Sequence, residues 1–159
     1  MQRYVTSVAL AAILGAVTAS AALGQGGVAP ADAMKSVAAN TLTWTDASVP
    51  GFAPGMKIAV IQGNPDSAGA YTLRLSFPDG YRFPAHWHPQ AENVTVLAGT
   101  LQLGMGERVD DSKLHAYGPG DYLHIQATKP HFGGARGSTV IQLHGQGPFA
   151  INVVQAAAR

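Results

Sequence analysis

Apolar and polar positions alternate with a period of two along most of this chain from Leu42 onward. The clearest case is Tyr71, Leu73, Leu75 and Phe77 interleaved with Thr72, Arg74 and Ser76, the mark of a strand with one buried face. Lys57–Gln62 predicts an earlier strand, ended by Gly63-Asn64-Pro65-Asp66, and Pro78-Asp79-Gly80 predicts the next turn. Strands are then expected at Phe83–His88, Glu92–Leu97 and Leu101–Met105, with Ala98-Gly99 as a tight turn between the last two. Leu114–Tyr117, Tyr122–Ile125, His131–Gly133, Val140–His144 and Ala150–Val154 complete the set.

About ten short strands at regular spacing argue for an all-β, single-domain antiparallel barrel or sandwich. It would occupy residues 42–156, because no linker, solenoid repeat or long amphipathic helix divides them. Residues 25–41 read as a lead-in. Its Ala-rich part, Ala31–Ala39 with Asp32 near the start, could form a short N-terminal helix.

Composition narrows the function classes. The chain has 159 residues, 47% apolar and 12% charged, which excludes a disordered or highly charged binder. Net charge is +1 with no basic cluster, so nucleic acid is not an expected partner. With no cysteine there is no thiolate metal site, thiol nucleophile, disulfide or lipid-modified cysteine.

The first 24 residues have the layout of a secretory signal peptide. Arg3 supplies a positive charge, Val5–Val17 is apolar apart from Thr6, Ser7 and Gly15, and small residues follow. Cleavage is expected after Ala21 or after Gly24. The apolar run falls short of the roughly 20 residues of a membrane span, and no basic stop-transfer cluster follows it. The mature protein is therefore expected to be exported, periplasmic or secreted, and soluble, with no membrane partner.

One constellation carries chemistry. His86 and His88 stand at i and i+2 of an extended segment, so their imidazoles share a side. Glu92 follows beyond a Pro-Gln turn and can return beside them, and His131 comes from a later strand past Gly118-Pro119-Gly120-Asp121. Three imidazoles and a carboxylate suit a divalent transition metal ion, Fe, Mn, Zn, Ni, Co or Cu. In an octahedral ion two positions stay open for a small molecule. Val94, Val96, Leu101, Leu103 and Ile141 are the alternating residues expected to surround the site. Tyr122, Gln142, His144 and Arg82 are candidates for orienting a ligand or contacting a substrate. Lone histidines such as His115 and His124 read as ordinary surface or core residues.

The spacing Gly80-(five)-His86-Trp87-His88-(three)-Glu92-(six)-Gly99 resembles the first motif of the cupin superfamily at every defined position. The second motif is looser: Gly120-Asp121 opens it and His131 takes the histidine position. Gln126 and Thr128 stand where that family has Pro and Gly, and Ala135 replaces its Asn. The resemblance covers roughly residues 70–145 and is closest to small exported single-domain bacterial cupins. It implies a jelly-roll barrel with the metal inside, held by His86, His88, Glu92 and His131. It also implies a homodimer paired through an outer sheet, to which Ile151–Val154 could contribute.

Two functions are compatible with this reading. One is a mononuclear metal-dependent enzyme, an oxygenase, oxidase, decarboxylase or isomerase, acting on a small polar metabolite. The other is a non-catalytic module that captures a small ligand or a metal ion. A metal-free epimerase of the same fold fits poorly, because all four ligands are present.

Overall fold

The computed structural model describes residues 34–155. The leader expected over residues 1–24 with its two cleavage positions, and Ala31–Ala33 of the expected helix, lie outside the described residues. Met34–Ala38 form no helix, and Ala39–Thr41 make a single 3-10 turn. The physical reason is length: an isolated helix this short is marginal in water, and Val37–Thr41 are exposed, with no face packed to hold one.

Among the described residues, nine strands form one antiparallel sheet: β1 Thr45–Asp46, β2 Lys57–Gln62, β3 Gly69–Phe77, β4 Arg82–Trp87, β5 Glu92–Met105, β6 His115–Tyr117, β7 Tyr122–Ile125, β8 His131–Gly147 and β9 Asn152–Val153. Its spine is the long ladder between β5 and β8, which runs from Asn93 opposite His144 to Met105 opposite His131. β3 flanks the second half of β8 and β4 the first half, with β9 beyond β4. β7 and β6 flank the two halves of β5. The sheet therefore curls, and its two halves enclose a shared interior.

Two predicted breaks are absent. Ala98-Gly99 is not a hairpin turn, and the strands expected on either side are one strand, β5. Likewise His131–Gly133 and Val140–His144 are parts of the single strand β8. The ladder has irregularities around Ala98 instead, and they bend the strand without ending it. Gly99 has φ +72°, and a Cβ there would lie 2.4 Å from the carbonyl oxygen of Ser138, so only glycine fits. The bend also shifts the pleat. Glu92, Val94 and Val96 face the interior before it, Leu101 and Leu103 after it.

The interior is apolar. Tyr71, Leu73, Leu75 and Phe77 of β3 pack with Ile141 and Leu143 of β8 and Leu123 and Ile125 of β7. Each such side chain contributes about 1.5–3 kcal/mol on burial. All five residues expected around the site, Val94, Val96, Leu101, Leu103 and Ile141, are buried.

Candidate metal centre

Four of the five buried polar side chains among the described residues are His86, His88, Glu92 and His131; the fifth is Thr139. They come from three neighbouring strands: His86 on β4 with His88 just past its end, Glu92 at the start of β5, His131 at the start of β8. His86 and His131 are direct cross-strand partners.

A bulge makes this possible. Phe83 pairs with Gly133 and His86 with His131, so β4 carries one more residue than β8 across that interval. The pleat therefore changes phase, and Phe83, His86 and His88 are all buried. Pro84 lies inside the bulge, where its missing N–H costs no ladder bond. Its free carbonyl then accepts a hydrogen bond from His86 Nδ1 at 2.8 Å.

The other two imidazoles are held the same way. His88 Nδ1 donates to the carbonyl of Ala150 at 2.8 Å, and His131 Nδ1 donates to that of Lys129 at 3.1 Å. A carbonyl oxygen can only accept, so each Nδ1 carries a proton and each Nε2 is left as the ring's inward donor atom. One ring nitrogen from each of the three histidines lies within 4.8 Å of the others. Glu92 Oε2 is 3.2 Å from His88 Nε2 and 3.5 Å from His131 Nε2.

Electrostatics sharpen the picture. Burial pushes His86 down to about 3, helped by His131 beside it. Burial also lowers His88, although Glu92 pulls it the other way. Glu92 is raised by burial, but the three surrounding imidazoles, His131 foremost, outweigh that and hold it below the usual carboxylate range. At neutral pH, then, an ionised carboxylate oxygen faces the lone pair of a neutral imidazole at 3.2 Å. Two electron-pair donors that close repel unless a cation lies between them. This donor set fits a divalent transition metal ion.

Around the cluster lies a cavity of about 40 Å³, room for a few water molecules at the roughly 10–15 Å³ that each needs. Among the described residues, the only polar side chains lining it are the four of the cluster. Phe52 meets the edge of His86 at 5.1 Å between ring centres, and Phe149 stacks on His88 at 5.0 Å with planes 16° apart.

The four further candidates lie elsewhere. Tyr122 is exposed on β7 and donates to Asn93 at 2.7 Å. Gln142 and His144 sit on β8 in the pleat phase opposite to the buried Ile141 and Leu143; Gln142 accepts from Arg74 Nε at 3.1 Å, and His144 is exposed. Arg82 is exposed and pairs with Asp111. None of the four lines the cavity. Ile151–Val154, expected on an outer surface, are half-buried: Ile151 lines the cavity, and β9 pairs with β4 at His86 and Trp87.

Sequence reasoning passed over Pro84, Phe52, Phe149 and the Ala150 carbonyl. A proline inside a predicted strand was a usable sign of the bulge. The other three act from loops, where periodicity carries no signal.

Residues 73–144 match the family model described as the cupin domain. The chain carries a cupin domain over these residues. Solved structures similar to this cupin include the polyketide cyclase RemF from Streptomyces resistomycificus. The two are 19% identical with a TM-score of 0.64, over 78% of this chain and 87% of that one. A cupin-2 domain from Rhodospirillum rubrum aligns with 13% identity and a TM-score of 0.61, over 77% and 82% of the two chains. DMSP lyase DddQ from Ruegeria pomeroyi aligns with 18% identity and a TM-score of 0.57, over 76% and 64%. At these identities the likeness concerns the fold. No curated protein matches this cupin's sequence.

Proposed function

We propose that this cupin is a mononuclear metal-dependent enzyme: His86, His88, Glu92 and His131 hold one divalent transition metal ion, and a small molecule reacts at its open positions. The observation that carries this reading is the convergence of three inward imidazole nitrogens with a buried carboxylate oxygen 3.2 Å from one of them. When bound, such an ion supplies Lewis acidity and a place to orient a ligand oxygen. The chain's own residues do the rest. The carbonyls of Pro84, Ala150 and Lys129 fix the imidazoles in one tautomer and orientation. Glu92 offsets one of the ion's two positive charges, and the apolar wall keeps bulk water from the site. The oxygenase, oxidase, decarboxylase and isomerase readings all remain within this class.

A binding module without turnover is the second reading. It is favoured by one observation: among the described residues, no side chain lining the cavity, apart from the four proposed ligands, can move a proton. The leader-like sequence of residues 1–24 supports a role in an exported compartment. Pairing into a homodimer is proposed on family grounds.

The test of the site is elemental analysis of the protein purified from its native compartment. The expected result is about one transition metal ion per chain, lost in His88→Ala. An unchanged metal content in that variant overturns the assignment.

A further inference from the structure

The ligand's chemistry can be read from the cavity wall, given the metal site just proposed. Three neutral imidazoles and one carboxylate around a divalent ion leave a single positive charge in an apolar enclosure. A monoanion cancels it, a dianion leaves a buried negative charge, and a neutral polyol leaves the positive one. Beyond the four cluster residues the wall consists of side chains such as Phe52, Leu103, Ile125, Phe149 and Ile151. None can pair with a hydroxyl, so each buried hydroxyl on a ligand would cost roughly tenfold in affinity.

Size adds a second constraint. At about 40 Å³ the cavity holds a few waters or a ligand head of that size, and a longer hydrocarbon body needs part of its wall to move. Most of that wall stands on paired strands. Phe52, Met56, His88, Phe149 and Ile151 are the exceptions. The segments bearing Phe52 and Phe149 touch: a Cβ on Gly51 would lie 3.3 Å from Val153 Cγ2. Phe149 rests on Tyr71 as well as on His88, and its N–H is tied to the Pro65 carbonyl at 2.7 Å. Phe52 on His86 and Phe149 on His88 thus each line the cavity from outside the main ladder, where local opening requires the least disruption.

We propose that the ligand of this site is a small apolar monoanion, with one anionic oxygen-bearing head for the metal and a hydrocarbon body for the wall, admitted by movement of the loop-borne rings Phe52 and Phe149. This replaces the small polar metabolite expected from the sequence.

The test uses the full-length protein loaded with Co(II), whose visible bands report changes at the metal. Acetate, butyrate and hexanoate are titrated against succinate and sorbitol. Butyrate should bind roughly tenfold tighter than acetate, from two buried methylenes, and both comparison compounds should bind at least roughly tenfold more weakly than butyrate. Phe149→Ala should favour hexanoate over acetate by a further factor of roughly ten. Phe149→Leu, expected to move the same way by less, decides the point if circular dichroism shows that the alanine variant does not fold. Succinate or sorbitol binding as tightly as butyrate would overturn the proposal. So would affinities that stay flat from acetate to hexanoate. If cobalt itself fails to bind, the metal reading falls and this inference with it; if cobalt binds and no carboxylate perturbs its bands, this inference alone falls.

Discussion

The two faces of the same curled sheet both carry histidines and put them to different uses. On the inner face, His86, His88, Glu92 and His131 are buried, and their ring nitrogens and carboxylate converge. On the outer face, His124, His144, Tyr122, Gln142 and Arg82 are exposed or half-buried and bond to neighbours such as Asn93, Arg74 and Asp111. What separates them is pleat phase, set by the bulge after Phe83 in β4 and by the alternation of β8. A histidine's chemistry here follows from the face it occupies and from what fixes its Nδ1.

The largest effect should come from exchanging one residue on each face. His88→Ala should weaken metal binding beyond the roughly 100-fold that loss of an orienting partner causes, whereas His144→Ala should change it less than about twofold. Competition with a chromogenic chelator measures both. Equal losses would dissolve the distinction between the faces.

Packing gives the next contrast. Leu73 is fully buried while its neighbour Thr72 points outward. Leu73→Ala should cost about 3 kcal/mol in urea unfolding, and Thr72→Ala no more than about 0.5 kcal/mol.

Acid tests the inner face alone. His86 is held at about 3 against an ordinary value of 6.5 by burial, so below 6.5 the unfolded chain takes up a proton that the native one refuses. His88 is lowered for the same reason, and Glu92 adds a loss as the pH falls through its own depressed value. The metal-free protein should therefore lose stability steadily as the pH drops from about 6.5 towards 3, as read by denaturant midpoints.

The smallest effect is a gain. Thr128 adopts φ +62°, in the left-handed region where a β-branched residue is strained. It is also the position where the family motif carries glycine. Its N–H donates to the His88 carbonyl at 2.8 Å, a bond that glycine would keep. Thr128→Gly should raise stability by about 1 kcal/mol, visible as a higher Tm.

Much of this was legible from residue order. Alternation through Tyr71–Phe77 marked a core strand, and the i, i+2 spacing of His86 and His88 put both rings on one side. The extent of β5 and β8 was not legible, because Gly99 and Gly137 look like turn residues and act as bends whose register only the partner strand fixes. The outward position of Gln142 and His144 already followed from placing Ile141 inward, and naming them as site contacts conflicted with that alternation. Phe52 and Phe149 reach the cavity from two loops far apart in sequence, and no local pattern announces that they line it together.

The most direct measurement is X-ray absorption fine structure on the metal-loaded protein, which counts imidazoles through their multiple-scattering signature. Three imidazoles with additional oxygen scatterers at about 2.0–2.2 Å are predicted, with one imidazole fewer in His131→Ala. A wild-type spectrum without imidazole scattering, or one that His131→Ala leaves unchanged, would contradict the account.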